Sequence, residues 1–380
     1  MIFTPPALDM EIYIHIPFCV RKCKYCAFFS IADRAELFSD YVDALCLEIE
    51  RRATSEPIET IYIGGGTPTV LSTLQLGRIA STLVRHFKID RNVEFTIEAN
   101  PGTIDRKYLA ELRALGINRL SIGVQSFNDE LLKSIGRIHT ARQAIEIVEA
   151  AKTIFDNVSV DLIYGLPHQT LDDLKHSLDR IKQLDVQHVS SYGLEVDEGS
   201  EFFRLQQEGR LELPSEELDA AMYDFVTTEL PRLGWRRYEI SNYAKPGFES
   251  RHNLGYWSDA KYIGLGAGAS SYDRLERRMN VEDVVGYIEG LRAGRDVSLL
   301  EETITREIAI EEFCFLGLRK ADGIDRNHFK KKFDIAVEEL FGNVMNELAS
   351  GGLIEVDNAR IKLTPRGMKF GNIVFAEFLF

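Results

Sequence analysis

The chain of 380 residues is long enough for one large domain and a smaller one. Apolar residues make up 45% of it and charged residues 27%, a balance that excludes a disordered or fibrous protein. Its 45 basic and 59 acidic residues give a formal charge of −14, which argues against nucleic acid or an anionic membrane surface as a partner. No apolar run approaches the roughly 20 residues of a membrane span, and the N-terminus lacks a signal-peptide pattern. We therefore expect a cytoplasmic protein without direct membrane insertion.

Six short β-branched or alternating runs predict strands, and five amphipathic patterns between them predict helices. The predicted strands cover residues 11–16, 60–63, 93–97, 119–123, 158–163 and 188–192. The predicted helices cover residues 35–52, 74–86, 106–115, 140–153 and 171–184. This alternation predicts an α/β protein whose residues 1–210 form a partial (β/α)6 barrel, with its site at the carboxyl ends of the strands.

Residues 211–300 change pattern and are expected to form an α+β extension that closes the barrel, with short strands near 237–240 and a Gly-rich stretch at 264–268. Residues 301–380 combine helices with two short strands and a turn, which predicts a small winged-helix-like domain. Such modules often bind DNA, but the acidic charge of the chain favours a docking or lid role.

The clearest chemical signal is the loop after the first predicted strand. Cys19, Cys23 and Cys26 lie within eight residues, and five cysteines in all is an odd count that favours a metal site over a disulfide framework. Cysteine thiolates at such spacing can hold an iron–sulfur cluster. A structural zinc would need a fourth ligand, for which His15 is the one candidate nearby. The basic residues Arg21, Lys22 and Lys24 are expected to lower the thiol pKa values.

Together with residues 13–19, Tyr-Ile-His-Ile-Pro-Phe-Cys, the Cys-x3-Cys-x2-Cys spacing resembles the radical SAM superfamily. The resemblance is to the branch that contains oxygen-independent coproporphyrinogen III oxidase and the HemW heme chaperones. It implies a [4Fe–4S] cluster on the three cysteines, with S-adenosylmethionine (SAM) at the iron that they leave open. When bound, this pair supplies one-electron cleavage of SAM to methionine and a 5′-deoxyadenosyl radical.

The resemblance also implies the residues that bind SAM. The Gly-rich segment would take the amino group, Arg137 the carboxylate and Asp161 the ribose, while Glu98 would contact other polar groups. A plain turn for the Gly run and simple packing for the two tyrosines stay open as alternatives. So do a surface position for Arg137 and a structural strand-end cap for Asp161. The full set is Tyr13, Tyr25, Gly65, Gly66, Thr67, Glu98, Gln125, Arg137, Asp161 and Gly193.

Three local features favour the chaperone over the oxidase. The oxidase has a further cysteine two residues after the third, where this chain has Phe28. The oxidase also has an extension ahead of its cluster loop. The segment His252-Asn253-Leu-Gly-Tyr256-Trp257 resembles the one that HemW proteins use for heme. There histidine or tyrosine would ligate iron and the aromatic rings would contact the porphyrin. The alternative is a core histidine in an aromatic cluster.

The sequence therefore predicts a heme chaperone that passes heme to an apo-hemoprotein, such as a membrane-bound respiratory one. The alternative is an enzyme, coproporphyrinogen III oxidase. A third possibility is a cluster-bearing redox sensor without turnover. Whether the chain acts as an enzyme, and whether it forms a homodimer, both stay open.

Overall fold

The computed structural model describes residues 10–380, so the absence of a signal peptide at residues 1–9 concerns residues outside that range. The strands of the described chain are β1 Met10–Ile16, β2 Phe18–Cys19, β3 Ile31–Ala32, β4 Pro57–Gly65, β5 Lys88–Ala99, β6 Arg119–Gln125, β7 Asn157–Tyr164, β8 His188–Gly193, β9 Arg236–Arg237, β10 Asn242–Ala244, β11 Lys261–Leu265, β12 Ser270–Tyr272, β13 Glu276–Asn280, β14 Ser298–Thr303, β15 Ile324–Asp325, β16 Ile354–Val356 and β17 Arg360–Leu363.

The α-helices of the same range are α1 Phe38–Arg51, α2 Thr73–His86, α3 Arg106–Ala114, α4 Asp129–Ser134, α5 Ala141–Lys152, α6 Leu171–Leu184, α7 Glu201–Gln207, α8 Glu216–Arg232, α9 Arg251–Tyr256, α10 Val284–Arg292, α11 Arg306–Arg319, α12 Arg326–Phe333, α13 Val337–Ser350, α14 Pro365–Lys369 and α15 Gly371–Ala376. Three short 3-10 helices lie at Ala35–Leu37, Pro68–Val70 and Pro101–Thr103.

The predicted six-strand barrel is confirmed. Strands β1, β4, β5, β6, β7 and β8 lie side by side in that order and pair in parallel. Strands β4 and β5 extend several residues beyond their predicted starts because Pro57 pairs with Lys88 at their polar amino ends. Hydrophobic periodicity does not detect those ends, since their side chains are largely exposed.

Helix-capping side chains set the starts of the helices between the strands. Ser72 accepts a hydrogen bond from the backbone N–H of Gln75 at the start of α2, and Thr140 and Thr170 do the same for α5 and α6. Each belongs to a capping box, which satisfies two backbone N–H groups that the first turn leaves free. The buried faces of these helices join the main apolar core with the strands.

The extension differs from the expectation that it closes the barrel. Strand β11 adds to β1 in parallel, and β12, β13 and β14 continue the sheet beyond it. Strands β10 and β9 lengthen the opposite edge next to β8. The result is a sheet of 12 strands whose two edge strands, β14 and β9, do not pair with each other.

The C-terminal part has its own apolar core, which includes Cys314, Phe329, Ile361 and Phe378. Its three-stranded sheet has the order β15-β17-β16, with helices α11 to α13 packed on it. The winged-helix description and the boundaries near residues 210 and 300 stay predictions. The C-terminal part contacts the barrel extension through a hydrogen bond of 2.9 Å from the backbone N–H of Ala321 to the carbonyl of Tyr238. Within residues 10–380, no helix has the length and apolar content to cross a bilayer.

Candidate functional site

The cysteine loop is anchored to neighbouring segments by backbone hydrogen bonds. The N–H of Lys24 donates to the carbonyl of Ile135 (3.0 Å), and the carbonyl of Lys24 accepts from Phe202 (2.9 Å). At the other end of the loop, the N–H of Thr67 donates to the carbonyl of Phe18 (2.8 Å). The loop that carries the thiols is therefore fixed to the segments after β4 and β6.

Cys19, Cys23 and Cys26 are half-buried free thiols. The Thr67 hydroxyl lies 3.6 Å from the Cys19 Sγ, and Nη1 of Arg137 lies 3.6 Å from the Cys23 Sγ. Both groups donate toward sulfur, and the guanidinium offsets negative charge on thiolates. This polar surround suits an anionic iron–sulfur centre.

The expected lowering of the thiol pKa values is wrong for two of these cysteines. Burial raises the pKa of Cys19, and it raises the pKa of Cys26 to about 11. Arg21 and Lys22 are exposed, so solvent screens their charges, and the loss of water around the sulfurs outweighs them. These two thiols are therefore harder to deprotonate than an ordinary cysteine.

Within the described residues, no three His, Cys, Asp or Glu side chains lie close enough to hold a single metal ion. A single metal ion would need such a group, whereas in an iron–sulfur cluster each cysteine sulfur binds a different iron of a larger inorganic core. The support for the cluster is therefore the loop sequence, the polar groups around the sulfurs and the family.

The Gly-rich segment lies directly against this loop. A Cβ on Gly66 would lie 2.7 Å from the carbonyl oxygen of Phe18 and 3.0 Å from the Cys19 Sγ. Gly65 has a φ of +112°, and a Cβ there would lie 2.7 Å from the His15 ring. Glycine is required at both positions, since only a residue without Cβ permits this approach.

Glu98 ends the third barrel strand with its carboxylate facing Gly65. The Tyr62 hydroxyl donates to its Oε1 (2.8 Å), and the Gly65 N–H lies 3.3 Å from its Oε2. Burial is the main reason that the pKa of Glu98 is raised to about 7, and the nearby Asp161 carboxylate adds to it. This carboxyl group therefore changes its charge near neutral pH.

Asp161 lies among serines from neighbouring strands. The Ser121 hydroxyl is 3.1 Å and 3.2 Å from its two oxygens, and the Ser159 hydroxyl is 3.3 Å from Oδ1. Burial raises the pKa of Asp161 despite these donors. The structure thus places Asp161 beside Glu98 on the same side of the sheet.

Gln125 is the last residue of β6, and the side chains of Gln125 and Arg137 both lie beside Gly123 of that strand. Gln125 has a φ of +68°, a left-handed conformation that costs energy for a residue with a Cβ and is often kept at functional sites. Arg137 donates to the carbonyl of Gly123, while its buried Nε has no partner within the described residues. A carboxylate ligand would satisfy such a donor.

The remaining predicted SAM residues lie around these groups. The Tyr13 hydroxyl is 3.0 Å from Nδ1 of His15, and its ring stacks on Tyr62. Tyr25 packs on an apolar cluster with Ile135 and Phe202. Gly193 lies beside Tyr164, and a Cβ on Gly193 would lie 3.2 Å from the Tyr164 ring.

Tyr62 and Ser121, which donate hydrogen bonds to the two carboxylates, were not predicted from the sequence. A signal was present, because polar residues alternate along neighbouring strands. Thr96 and Glu98 on β5 are two residues apart, as are Arg119 and Ser121 on β6. Side chains at a spacing of two lie on one face of a strand, so this pattern predicts a polar interior.

A cavity of about 700 Å³ lies between the cluster loop, the strands next to it and the C-terminal part. Phe28 and Phe29 line it from the cluster loop, Tyr256 and Trp257 from the α9 segment, and Phe315 from α11. Its volume falls within the roughly 300–1,000 Å³ of ligand pockets, which are mostly apolar. Phe28 is 71% exposed, and exposure of a large apolar ring to water is unfavourable.

The Gly-rich stretch 264–268 mainly serves packing. A Cβ on Gly264 would lie 2.0 Å from the carbonyl oxygen of Ser270, and one on Gly266 would lie 2.4 Å from that of His15. Gly268 does border the cavity, and a Cβ there would lie 2.8 Å from the Phe29 ring. Close approach between elements is therefore the main use of these glycines.

His252 is buried at 1% exposure, and both of its ring nitrogens have partners. Nδ1 lies 2.7 Å from the Thr60 hydroxyl, and Nε2 lies 3.1 Å from the Tyr256 hydroxyl. Burial lowers the pKa of His252 to about 3, so the ring is neutral. In this arrangement His252 is a satisfied core histidine, and the ring is not free to ligate iron.

The rest of the segment is more accessible. Asn253 lies in the first turn of α9, where its N–H donates to the Ser250 hydroxyl (3.3 Å). Tyr256 and Trp257 are half-buried at the cavity wall. The structure therefore brings these two aromatic residues to the cavity and keeps His252 behind them.

Replacing His252 by alanine is expected to lower the free energy of unfolding by about 2–4 kcal/mol, because it leaves a cavity and two hydroxyl groups without a partner. Urea denaturation of the two proteins measures this loss. His176, exposed on α6, is the control, and His176→Ala should change stability by less than about 0.5 kcal/mol.

The free energy of unfolding of the wild type and of His252→Ala should also depend differently on pH. The pKa of His252 is lower in the folded chain than in the unfolded one, so its contribution to stability is full above about pH 6.5 and falls as the pH drops toward 3. The loss per pH unit should be smaller in His252→Ala by up to about 1.4 kcal/mol. Equal pH profiles would contradict the buried neutral state.

Comparisons with known proteins agree with this geometry. Residues 13–181 match the Radical SAM superfamily, and residues 304–370 match the HemN C-terminal domain. The heme chaperone HemW of Bacillus subtilis is 41% identical over 372 residues, which cover 97% of this chain and 98% of that protein. HemW of Lactococcus lactis is 39% identical over 368 residues, which cover 97% and 96%.

Among solved structures, the coproporphyrinogen III oxidase HemN from Escherichia coli, a radical SAM enzyme, superimposes with a TM-score of 0.87 at 25% identity. The match covers 98% of this chain and 91% of that one. The alignments with the two HemW proteins, at 39–41% identity, cover nearly the whole length of this chain and of each relative. The chain belongs to the HemW family of heme chaperones within the radical SAM superfamily.

Proposed function

We propose that Cys19, Cys23 and Cys26 hold a [4Fe–4S] cluster, with SAM on the iron that they leave open. The donor groups on Thr67 and Arg137 that face two of the sulfurs support this assignment. The glycines of residues 64–66 bring the backbone of this segment close to Cys19 and Glu98. The unpartnered Nε of Arg137 suits the SAM carboxylate, and Asp161 suits ribose hydroxyls.

We further propose that the chain binds heme in the 700 Å³ cavity and transfers it to an apo-hemoprotein. The observation that carries this proposal is the cavity itself, since its aromatic wall joins the cluster loop to the Tyr256-Trp257 pair. A porphyrin is a flat apolar ligand that packs against such rings. The iron ligand is then proposed to be Tyr256 or a group of the client, because both ring nitrogens of His252 have partners.

The client that we propose is a hemoprotein of the respiratory chain, including membrane-bound ones. An acidic chain is repelled by an anionic bilayer, so contact with a membrane client would run through the client itself. A cytoplasmic location and self-association into a homodimer are part of the same proposal. Size-exclusion chromatography with light scattering, with and without cluster, tests the dimer.

Purified protein is expected to bind hemin with a new Soret band, and Phe28→Asp should weaken this affinity at least about tenfold, since burial of a phenylalanine contributes about 1.5–3 kcal/mol. Absorbance titration measures both affinities. Leu74→Asp is the matched control, because Leu74 is 82% exposed on α2 and does not line the cavity. No spectral change with the wild-type chain would refute heme binding, and equal affinity of Phe28→Asp would refute this cavity.

The structural similarity to the HemN oxidase makes coproporphyrinogen III oxidase activity the second function to test. An oxidase would form vinyl groups from coproporphyrinogen III under anaerobic reducing conditions with SAM. We expect no sustained product in that assay, and sustained product would overturn the chaperone proposal.

A further inference from the structure

A second cavity of about 240 Å³ lies at the junction between the barrel extension and the C-terminal part. Trp257, Asp259 and Leu316 line both this cavity and the larger one, so the two share a wall. A ligand in the larger cavity therefore lies next to the smaller one.

The charges around the smaller cavity are unequally paired. Asp259 is paired with Lys332 and with Arg274, whose Nε is 3.3 Å from it, and Asp325 lies 3.6 Å from Arg360. The ammonium of Lys320 donates to the Ser258 hydroxyl at 2.9 Å. Over residues 10–380, no carboxylate lies within ion-pair distance of this ammonium.

Two donors at this junction have no acceptor among residues 10–380. The indole N–H of Trp257 is buried without a partner, and the guanidinium of Arg319 lies over the Trp257 ring at 4.4 Å. The Nε of Arg319 is likewise buried without a partner in the described chain. Buried donors without acceptors are rare and costly, so donors gathered at one place indicate a missing acceptor.

Burial and the charge of Arg360 lower the pKa of Lys320 to about 8. A nearby anion would reverse that shift, because it favours the charged ammonium. In a chain with a formal charge of −14, a local unpaired cation is also what allows an acidic ligand to approach.

We propose that the smaller cavity receives a carboxylate arm of the ligand in the larger cavity, and that Lys320 supplies the countercharge. This inference rests on the proposed binding of heme. A porphyrin that carries carboxylates on one edge and apolar groups elsewhere matches a cavity with an aromatic wall beside one that holds the ammonium of Lys320. Trp257 lines both cavities and Lys320 lines the smaller one, so a carboxylate arm that passes Trp257 would meet the Lys320 ammonium.

The test compares ferric protoporphyrin IX with its dimethyl ester, which lacks both carboxylates. The wild-type chain is expected to bind the diacid about tenfold more tightly, the usual effect of one charge-assisted hydrogen bond. Lys320→Met should lose that preference and leave the affinity for the ester unchanged. Lys331→Met, at an exposed lysine of α12, should keep it.

Thermal unfolding of each variant separates a loss of folding from a loss of binding. Equal weakening of both ligands by Lys320→Met, or no effect on either, overturns the carboxylate site while heme binding stands. If inorganic phosphate stabilises the wild type through Lys320 and the two porphyrins bind alike, the cavity is a free-anion site and the proposal is overturned. Failure of both porphyrins to bind the wild type overturns heme binding itself, and this inference with it.

Discussion

Anaerobically reconstituted Cys23→Ala is expected to lose the visible absorption of the iron–sulfur cluster and to retain only background iron and sulfide. In the proposed cluster each cysteine of the loop would supply one of three thiolates, and residues 10–380 offer no other group of His, Cys, Asp or Glu side chains that could hold a metal. Because SAM would bind the iron that the cysteines leave open, specific SAM binding should fall with the cluster. Metal and sulfide analysis with electron paramagnetic resonance of the reduced protein measures the loss.

Cys46→Ala is the matched control for this experiment. Cys46 is a free, half-buried thiol on α1, where it accepts a hydrogen bond from Thr82 at 3.5 Å. Iron content of this variant should equal that of the wild type. Wild-type protein that binds zinc and no iron, or Cys23→Ala that keeps its iron, would contradict the cluster assignment.

SAM affinity of the reconstituted protein is expected to fall roughly tenfold per pH unit as the pH drops below about 7, and to level off above it. The pKa of Glu98 is raised to about 7, so the free protein is half protonated at that pH. Only the ionised carboxylate accepts hydrogen bonds from polar groups of SAM with both oxygens. Binding at low pH must therefore first remove a proton.

Glu98→Gln should lose affinity at least about tenfold at pH 8 and lose the pH dependence below 7, since the amide does not titrate. Equilibrium dialysis with labelled SAM under anaerobic conditions measures both. Glu146→Gln, at an exposed position on α5, should match the wild type at every pH. Affinity that rises as the pH falls would show that SAM prefers the protonated carboxyl group.

The C-terminal part lines both the larger cavity and its smaller neighbour, so it would contact the ligand that we propose there. Phe315 and Leu316 of α11 line the large cavity, and Lys320 follows the same helix into the smaller one. Movement of this part would open both cavities at once, which suits a protein that must release its cargo. The docking or lid role expected from the sequence is in line with this placement and stays a prediction.

Much of the fold was readable from local sequence. The six parallel strands follow from apolar runs with helical patterns between them, and the capping residues Ser72, Thr140 and Thr170 mark where helices begin. The cysteine loop and the Gly-rich segment were recognisable because each is a short motif with fixed spacing. Such features depend on neighbours a few residues apart, which the sequence states directly.

Tertiary structure alone decided the state of several side chains. His252 looked available for iron, yet Thr60, 192 residues away in the chain, occupies one of its ring nitrogens. The basic residues of the cluster loop were expected to acidify the thiols, but burial raises the pKa of Cys26 instead. Both outcomes depend on how much water packing removes, and on partners that only the folded chain brings near.

The same reason applies to the barrel edges and to the cavities. Strand β11 pairs with β1 across some 250 residues of sequence, through Met10 opposite Lys261, and so the extension lengthens the sheet instead of closing it. Lys320 and Trp257 line one cavity because the fold brings the end of α11 to the residues after α9, where Lys320 donates to the Ser258 hydroxyl. The sequence by itself determined the elements and the cofactor loop, while long-range packing decided which side chains face a ligand, since burial and contact belong to the folded chain and not to spacing along it.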